Sequence, residues 1–396
     1  MDSGVRAADR HGAVEASAGL CLIGGVVIIL RTLVFLPEPA STPIRLVDGP
    51  RPGPASVLEL PPAPADTAAS AVLLFGGDIM QHRRQAGDDF KASYAAIAPL
   101  VSRADLAIAN LEFPVDTTRP VGPGPGSTTF NGSARHVAAI AAAGFDLLQT
   151  ANNHLYDQGA DGVANTWRLL RSRGLEPVGT APTLAELERT PVLVREVRGI
   201  RIGFVAYTFP PNRYPGPHGA FAWPPRDAPA FQLNFGDWEA EYRATGVKLF
   251  QRHAALARSQ GVQLLVALVH WGDEWHREPS SDQRLAGHDL VDAGFDLVVG
   301  GHSHVVNGAE VYRGRLIAYS LGDLITDFAP LEPRAGALLE VRVVQARGRA
   351  PAVTAFTWHP TLVERAGHRI QLVSPGEPGQ RGQAAALVRS RLEAGR

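Results

Sequence analysis

The feature that most constrains this chain is a unit that recurs along it: a short, continuous apolar run whose C-terminal end releases carboxylate, amide or imidazole side chains. AVLLF at 71–75 runs into Gly76-Gly77-Asp78, ADLAIAN at 104–110 into Leu111-Glu112, and FDLLQT at 145–150 into Ala151-Asn152-Asn153-His154. VQLLVALV at 262–269 ends at His270-Trp271-Gly272, and FDLVVG at 295–300 ends at Gly301-His302-Ser303-His304. Runs of this length and continuity read as strands buried on both faces, as in a sheet sheltered by helices. Helical periodicity fills the intervals at 133–143, 161–173, 237–259 and 281–293. Strands alternating with helices predict a layered α/β domain, whose C-terminal strand ends converge on the rim where open α/β sheets carry their chemistry.

Two of the crossings repeat one local sequence. Ala143-Gly144-Phe145-Asp146-Leu147 precedes Asn153 and His154, and Ala293-Gly294-Phe295-Asp296-Leu297 precedes His302 and His304. In each, glycine ends a helix, Phe packs inward and a strand begins. AGFDL is a common helix-to-strand joint, and the polar endings beyond it carry the functional reading. RIGFVAY at 201–207 is a further strand, followed by a Pro- and aromatic-rich excursion at 208–225 long enough to carry function or to move. LIAY at 316–319, ALLEVRVV at 337–344 and AVTAFTW at 352–358 read as strands of a second sheet, and 383–393 as a terminal helix.

With 396 residues, 45% of them hydrophobic, the chain has enough apolar surface for a sizeable core. A net charge of -1 provides no basic field for nucleic acid. The single cysteine, Cys21, excludes an internal disulfide framework and a cysteine-type zinc site. Residues 20–30 are uncharged and almost wholly apolar; Arg31 interrupts them and 33–36 extend them. Counted from Ala18, the stretch just spans a bilayer with Arg31 snorkelling to one face. Arg6 and Arg10 ahead of it fit an inside N-terminus, a bias diluted by Asp2, Asp9 and Glu15. No small-residue cleavage site follows directly, and 17–20 make a poor lipobox before Cys21, so the reading is an uncleaved single-pass anchor with an external domain. The alternative is a buried or disordered leader on a cytoplasmic protein. The expected organisation is a leader at 1–36, a Pro-rich linker at 37–70, the main domain at 71–362 and an extension at 363–396.

A two-metal hydrolytic centre needs anionic oxygen ligands, one of them bridging, and neutral imidazoles to complete both coordination spheres. Asp78, Glu112, Asn153, His154, His270, His302 and His304 supply such a set, each after an apolar run. A lone histidine is usually a surface or hydrogen-bonded group, so the ordered set carries the reading rather than any member of it. His302 and His304 share a side of an extended segment, and in a turn they reach adjacent metals. Gly300 and Gly301 let the backbone come close. Asn153 is read as a ligand through its amide oxygen, and adjacent His154 as the group that contacts a leaving group or substrate anion. Asp157 orients His154 or caps the next helix. Glu274 accepts a hydrogen bond from a ligand histidine, contacts substrate, or is a solvated loop carboxylate. Trp271 packs beneath His270.

Taken in order, several motifs resemble the bacterial capsule-synthesis CapA family. They are Asp78-Ile79-Met80 after Gly77, Asn110-Leu111-Glu112, Ala151-Asn152-Asn153-His154 with Asp157 and Gly159, His270-Trp271-Gly272 with Glu274, Gly301-His302-Ser303-His304, and Tyr319-Ser320-Leu321-Gly322. That family is associated with poly-gamma-glutamate biosynthesis and belongs to the calcineurin-like metallophosphoesterase superfamily; the resemblance covers about residues 71–328. It implies a four-layer α/β/β/α sandwich with two divalent ions, one held by Asp78, Glu112 and His304, the other by Glu112, Asn153, His270 and His302. Glu112 would bridge, where the superfamily commonly uses Asp. Met80 stands where the superfamily has a histidine ligand, a methionine the capsule family shares, so the first ion has one strong ligand fewer. His82, close by, is expected at the surface. Asp323 replaces the Asn typical of the family's Ser-Leu-Gly-Asn motif, and either adds charge near the site or caps a turn.

The activity implied is metal-assisted hydrolysis or transfer at a phosphoester or related anionic bond, with His154 serving the leaving group. Its setting would be the synthesis, export or anchoring of a poly-gamma-glutamate-like capsule polymer. Carboxylate and imidazole ligands suit Mn, Fe or Zn better than Mg. One alternative is amide hydrolysis or transpeptidation on polyglutamate or a peptide, for which Arg213 and Arg226 would pair with polymer carboxylates. Another keeps the site without the chemistry, as a polymer-binding or assembly subunit. The expected partners are an anionic polymer or phosphoester substrate and a membrane capsule-synthesis complex, with no nucleic acid.

Overall fold

The computed structural model describes residues 47–48, 56–59, 66–122, 129–209, 212, 214–215, 221–222, 229–230 and 239–394. The apolar stretch at 18–36, Cys21, most of the Pro-rich linker, Arg213 and Arg226 lie outside the described residues. Among the described residues no helix is long and apolar enough to cross a membrane.

The chain builds one sheet, crosses to a second and returns. β1 (Val47–Asp48) and β2 (Ser56–Glu59) precede β3 (Thr67–Ile79), β4 (Leu106–Leu111), β5 (Leu147–Gln149) and β6 (Glu176–Val178), the last four lying parallel in sequence order. β7 (Leu193–Val197) and β8 (Ile200–Thr208) open the second sheet, and β9 (Tyr214–Pro215) pairs with β10 (Phe221–Ala222). β11 (Leu264–His270), β12 (Leu297–Gly301), β13 (Ala309–Tyr312) and β14 (Arg315–Ala318) complete it in the order β13-β14-β12-β11-β8-β7. β15 (Asp323–Ile325), β16 (Ala335–Ala346), β17 (Ala352–Glu364) and β18 (Arg369–Leu372) rejoin the first sheet, whose order is β1-β2-β17-β16-β3-β4-β5-β6, with β15 on β3 and β18 on β17.

Side-chain alternation along these strands sorts the apolar residues into layers. Leu73, Phe75, Ile108, Phe204, Val266 and Leu297 belong to one buried cluster shared by both sheets. Leu74, Ala107 and Leu148 point the other way, onto the helix Ala134–Ala143 and its neighbours. Val205, Leu265 and Val298 pack on the helices Glu239–Ser259 and Ser281–Ala293. The result is the layered α/β/β/α arrangement, which explains why the strands read as continuously apolar: both faces are covered.

The predicted helices form with small shifts at their ends. Ser133 and Ser280 cap theirs by accepting from the backbone N–H groups of His136 and Gln283, and Gly144 and Gly294 end them in the left-handed conformation. One expectation is corrected. ALLEVRVV and AVTAFTW do not join the second sheet: they form β16 and β17 of the first, β16 antiparallel to β3 and β17 antiparallel to β16, because β3 has a free edge opposite β4 that β16 takes up. LIAY does lie in the second sheet, in β14 beside β12. Within 363–396, β18 pairs with β17, and the helix Gln380–Ala394 seats Ala384, Ala385, Val388 and Leu392 in the inter-sheet cluster.

At β3 the register against β4 slips between Phe75 and Asp78, so that Gly76-Gly77 forms a bulge. Gly77 there passes so close to the segment before β15 that a Cβ on it would stand 1.9 Å from the Gly322 carbonyl oxygen. Neither backbone can yield without moving the strand ends, so Gly77→Ala is expected to destabilise the fold by about 2–3 kcal/mol. Gly87→Ala, with nothing within 4 Å of a new Cβ, is expected to stay within about 0.5 kcal/mol of the parent. Urea unfolding midpoints check both; a Gly77→Ala protein as stable as the parent would remove the close approach as a constraint.

Candidate metal centre

The bulge decides where Asp78 points. Simple alternation from Phe75, which faces the second sheet, would turn Asp78 toward the outer helices; instead Ile79 lies in the outer cluster, and Asp78 faces inward beside its cross-strand partner Asn110. On β4 the alternation runs unbroken, placing Asn110 and then Glu112 on the inner side. In the second sheet Leu264, Val266 and Leu268 face inward and so does His270, which pairs with Gly301 at the end of β12. The donors therefore meet between the two sheets, at their C-terminal strand ends.

The geometry is compact. Glu112, His270 and His302 form one group and Asp78, Glu112 and His304 another, the ligand atoms within each lying within 4.8 Å of one another. His270 Nε2 lies 2.9 Å from the Asn153 amide oxygen, 3.1 Å from His302 Nδ1 and 3.4 Å from Glu112 Oε1. Asp78 accepts from Asn110 Nδ2 at 2.7 Å through one oxygen and from the His302 backbone N–H at 2.8 Å through the other. His302 and His304 leave extended geometry, with φ of 96° and 59°, and so turn their rings toward different groups. Gly301 leaves room for the Asp78 carboxylate, since a Cβ there would be 2.5 Å from its Oδ1; Gly300 accommodates Trp271 Nε1 and the Tyr319 carbonyl.

These distances fit a shared cation better than hydrogen bonds alone. One ring nitrogen carries one proton or one lone pair, so His270 Nε2 cannot satisfy three neighbours. Ligands on a common ion with bonds of about 2.0–2.2 Å stand roughly 3.0–3.4 Å apart, the spacing found around His270. Both oxygens of Glu112 are buried with no hydrogen-bond partner among the described residues, an arrangement that costs about 1–3 kcal/mol per group unless something charged is bound.

Electrostatics points the same way. Burial, then the charge of Glu112, raises the Asp78 carboxyl above its ordinary value. Burial also pushes Glu112 up, but His270 and His304 outweigh it and bring that carboxyl down to about 2. His302 is held well below the usual imidazole range by burial and by His270, and so offers a lone pair. Burial pulls His304 down, yet Asp323, 2.9 Å from its Nδ1, and Glu112 carry it up to about 10.

His154 stands beside these groups rather than among them. Its Nδ1 lies 2.7 Å from Asp157 Oδ2, which also accepts from the Phe130 backbone N–H at 2.6 Å. Burial lowers His154, but the Asp157 carboxylate prevails and the imidazole is raised. Asp157 precedes the helix Gly159–Ser172, whose N-cap is Gln158, so Asp157 orients His154 and is not that helix's cap. Glu274 is exposed on the rim, and its carboxylate is 4.0 Å from His304 Nε2, beyond hydrogen-bond reach. Trp271 is fully buried, donating Nε1–H to the Tyr319 carbonyl. Met80 is buried beneath Thr326. His82 is a correction: it is not a surface residue but lies half-buried, edge-on to Phe130 and Phe328, with burial lowering it to about 4. It belongs to neither ligand group.

Two supporting residues stood in the quoted motifs without a role assigned to them. Asn110 bridges Asp78 and the ring of His270, and Asn152 donates to the Asn110 amide oxygen and the Leu111 carbonyl while accepting from the His154 backbone. Asn152 adjoins the candidate ligand Asn153 and Asn110 stands two residues before Glu112, and that nearness is the signal for their role. The aromatic rim was also missed: Trp275, 46% exposed, leans on His304 and Phe328.

A family model described as bacterial capsule synthesis protein PGA_cap matches residues 72–328, a span that holds every site residue named above. The capsule biosynthesis protein CapA of Bacillus anthracis is 28% identical over 258 residues, 63% of this chain and 58% of its own length. The PGA biosynthesis protein CapA of Bacillus subtilis strain 168 is 26% identical over 272 residues, 67% of this chain and 66% of its own. A probable polyglutamine synthesis accessory protein of Mycobacterium tuberculosis H37Rv is 27% identical over 269 residues, covering 59% and 65%. The chain thus spans less than two thirds of the length of each of these relatives.

Removing the Asp157 charge tests the His154 pair. Asp157→Asn is expected to bring the His154 imidazole down, read by NMR titration of the metal-free protein. Since the parent value lies above the ordinary 6.5, the pair's contribution to stability is complete below that pH and is lost as pH rises through the raised value. The variant should lose that slope; an unchanged titration would show that Asp157 does not govern His154.

Proposed function

Because the chain belongs to the bacterial capsule synthesis protein family, we propose that it is a metal-dependent hydrolase or transferase acting on a poly-gamma-glutamate-like capsule polymer or its precursors, at a phosphoester or related anionic bond. The observation that carries this reading is Glu112: a wholly buried carboxylate, without a hydrogen-bond partner for either oxygen among the described residues, common to two groups of ligand-type side chains. The names of the relatives supply the polymer, and the site supplies the chemistry.

Two bound divalent ions, of the Mn, Fe or Zn type, would supply electrophile polarisation and an activated water. Asp78, Glu112 and His304 would hold one, and Glu112, Asn153, His270 and His302 the other. Asn110 and Asn152 keep the carboxylate of Asp78 and the ring of His270 in place. His154, with Nδ1 tied to Asp157 and its imidazole raised above the ordinary value by that carboxylate, is biased toward the protonated form and can deliver a proton from Nε2 to a leaving oxygen. Buried negative charge at Asp78 and Glu112 would repel an anionic substrate from a metal-free site, so substrate binding depends on the ions. The apolar stretch from Ala18 and the Pro-rich linker after it fit a tether that holds the domain outside the cell membrane.

Metal content and turnover test this together. The parent protein is expected to take up two transition-metal ions and to cleave model phosphoesters. Glu112→Gln should lose both ions, and His154→Gln should keep them while turnover falls about 10²–10⁴-fold. Activity on poly-glutamyl amides in place of phosphoesters would move the substrate assignment to the amide bond. A parent that binds no ion after supplementation and still supports polymer production would leave a polymer-binding role and end the hydrolase reading.

A further inference from the structure

Among the described residues, His304 alone of the three candidate histidine ligands is hydrogen-bonded through Nδ1 to a carboxylate. Asp323 Oδ1 lies 2.9 Å from its Nδ1. The Nδ1 of His270 faces the Asn110 amide at 3.2 Å, and that of His302 faces His270. Asp323 is held firmly where it can do this. It is wholly buried, its Cα is the cross-strand partner of Asp78 in the parallel pairing of β15 with β3, and β16 passes so near that a Cβ on Gly336 would stand 2.2 Å from the Asp323 carbonyl oxygen. Its second carboxylate oxygen is buried with no partner among the described residues.

A carboxylate accepting from Nδ1–H fixes the imidazole tautomer, aims Nε2 and increases its donor strength. The group that benefits has the fewest donors: Asp78, Glu112 and His304, with Met80 nearby contributing only a buried thioether tied to Thr326 at 3.9 Å. We propose that Asp323 is a positioning residue for the first ion, fixing His304 as its ligand and setting the affinity of that position without touching the second. This rests on the two-ion reading of the site. Asp323 thereby offsets the weak ligand complement that Met80 leaves, and the two positions come to differ in charge: two carboxylates and a carboxylate-backed imidazole on one side, one carboxylate, one amide and two imidazoles on the other.

The test uses the intact protein stripped of metal, with Mn²⁺ as the probe, in the parent, Asp323→Asn and Asp323→Ala. Calorimetry counts ions and measures each affinity, and electron paramagnetic resonance distinguishes an exchange-coupled pair from an isolated Mn²⁺. The expected result for Asp323→Asn is a 10–100-fold weaker first ion, an unchanged second ion, loss of the coupled signal at limiting metal, and an unchanged unfolding midpoint of the metal-free protein. Asp323→Ala should weaken the first ion at least as much; if it fails to fold, the near-isosteric Asn variant still decides. Two ions bound by Asp323→Asn with parental affinity would overturn this inference alone, and so would loss of both ions together, which would mark Asp323 as a general structural support. A parent that takes up no Mn²⁺ would overturn the two-ion reading and this inference with it.

Discussion

Gly77 and Gly322 meet backbone to backbone, in a space that admits no side chain on Gly77, and the site is built on that contact. The Asp78 backbone N–H donates to the same Gly322 carbonyl at 3.0 Å, so β15 is drawn alongside the bulged end of β3. The bulge reverses the strand's alternation, and Asp78 turns from the helix layer toward the second sheet. Without the reversal, Asp78 would be a buried carboxylate among apolar helix side chains. With it, the carboxylate faces His302, and Asp323 comes to rest beside it on the adjoining strand.

Concentrating Asp78, Glu112 and Asp323 in one buried space is unfavourable for folding, since each carboxylate gives up water for a medium of low dielectric. The imidazoles of His270 and His304 relieve part of that cost. Among the described residues neither oxygen of Glu112 and only one of Asp323 has a hydrogen-bond partner, which shows what is left uncompensated. Two histidines at positive φ add backbone strain at the same place. A fold that tolerates these costs together at one rim, with well-packed clusters in every other layer, has stability diverted into a cluster of groups that could hold a cation.

Much of the architecture was legible beforehand. Continuous apolar runs identified strands sheltered on both faces, and Ser caps with Gly stops located helices to within a few residues. Strand partners were harder. ALLEVRVV and AVTAFTW have the composition of strands for either sheet, and only the open edge of β3 decides where they go. Asn110 and Asn152 look like ordinary polar residues beside ligands; their bonds to Asp78, to His270 and to each other exist only once β4 and the segment after β5 lie side by side.

The sequence by itself determined the kinds of donor and their order, because strand ends are marked by where apolar runs stop and five of the runs here stop at ligand-type residues. Tertiary structure decided which donors share a space. Asp78 and His302 are 224 residues apart and meet because two sheets pack face to face with their C-terminal ends together. It also decided which way Asp78 faces, since alternation counts residues along one strand whereas a bulge is set by register against the next. The partner of His304 was settled in the same way: Asp323 reaches it from a strand whose place is fixed by β3 and β16, a long-range packing constraint that no local pattern in the chain encodes.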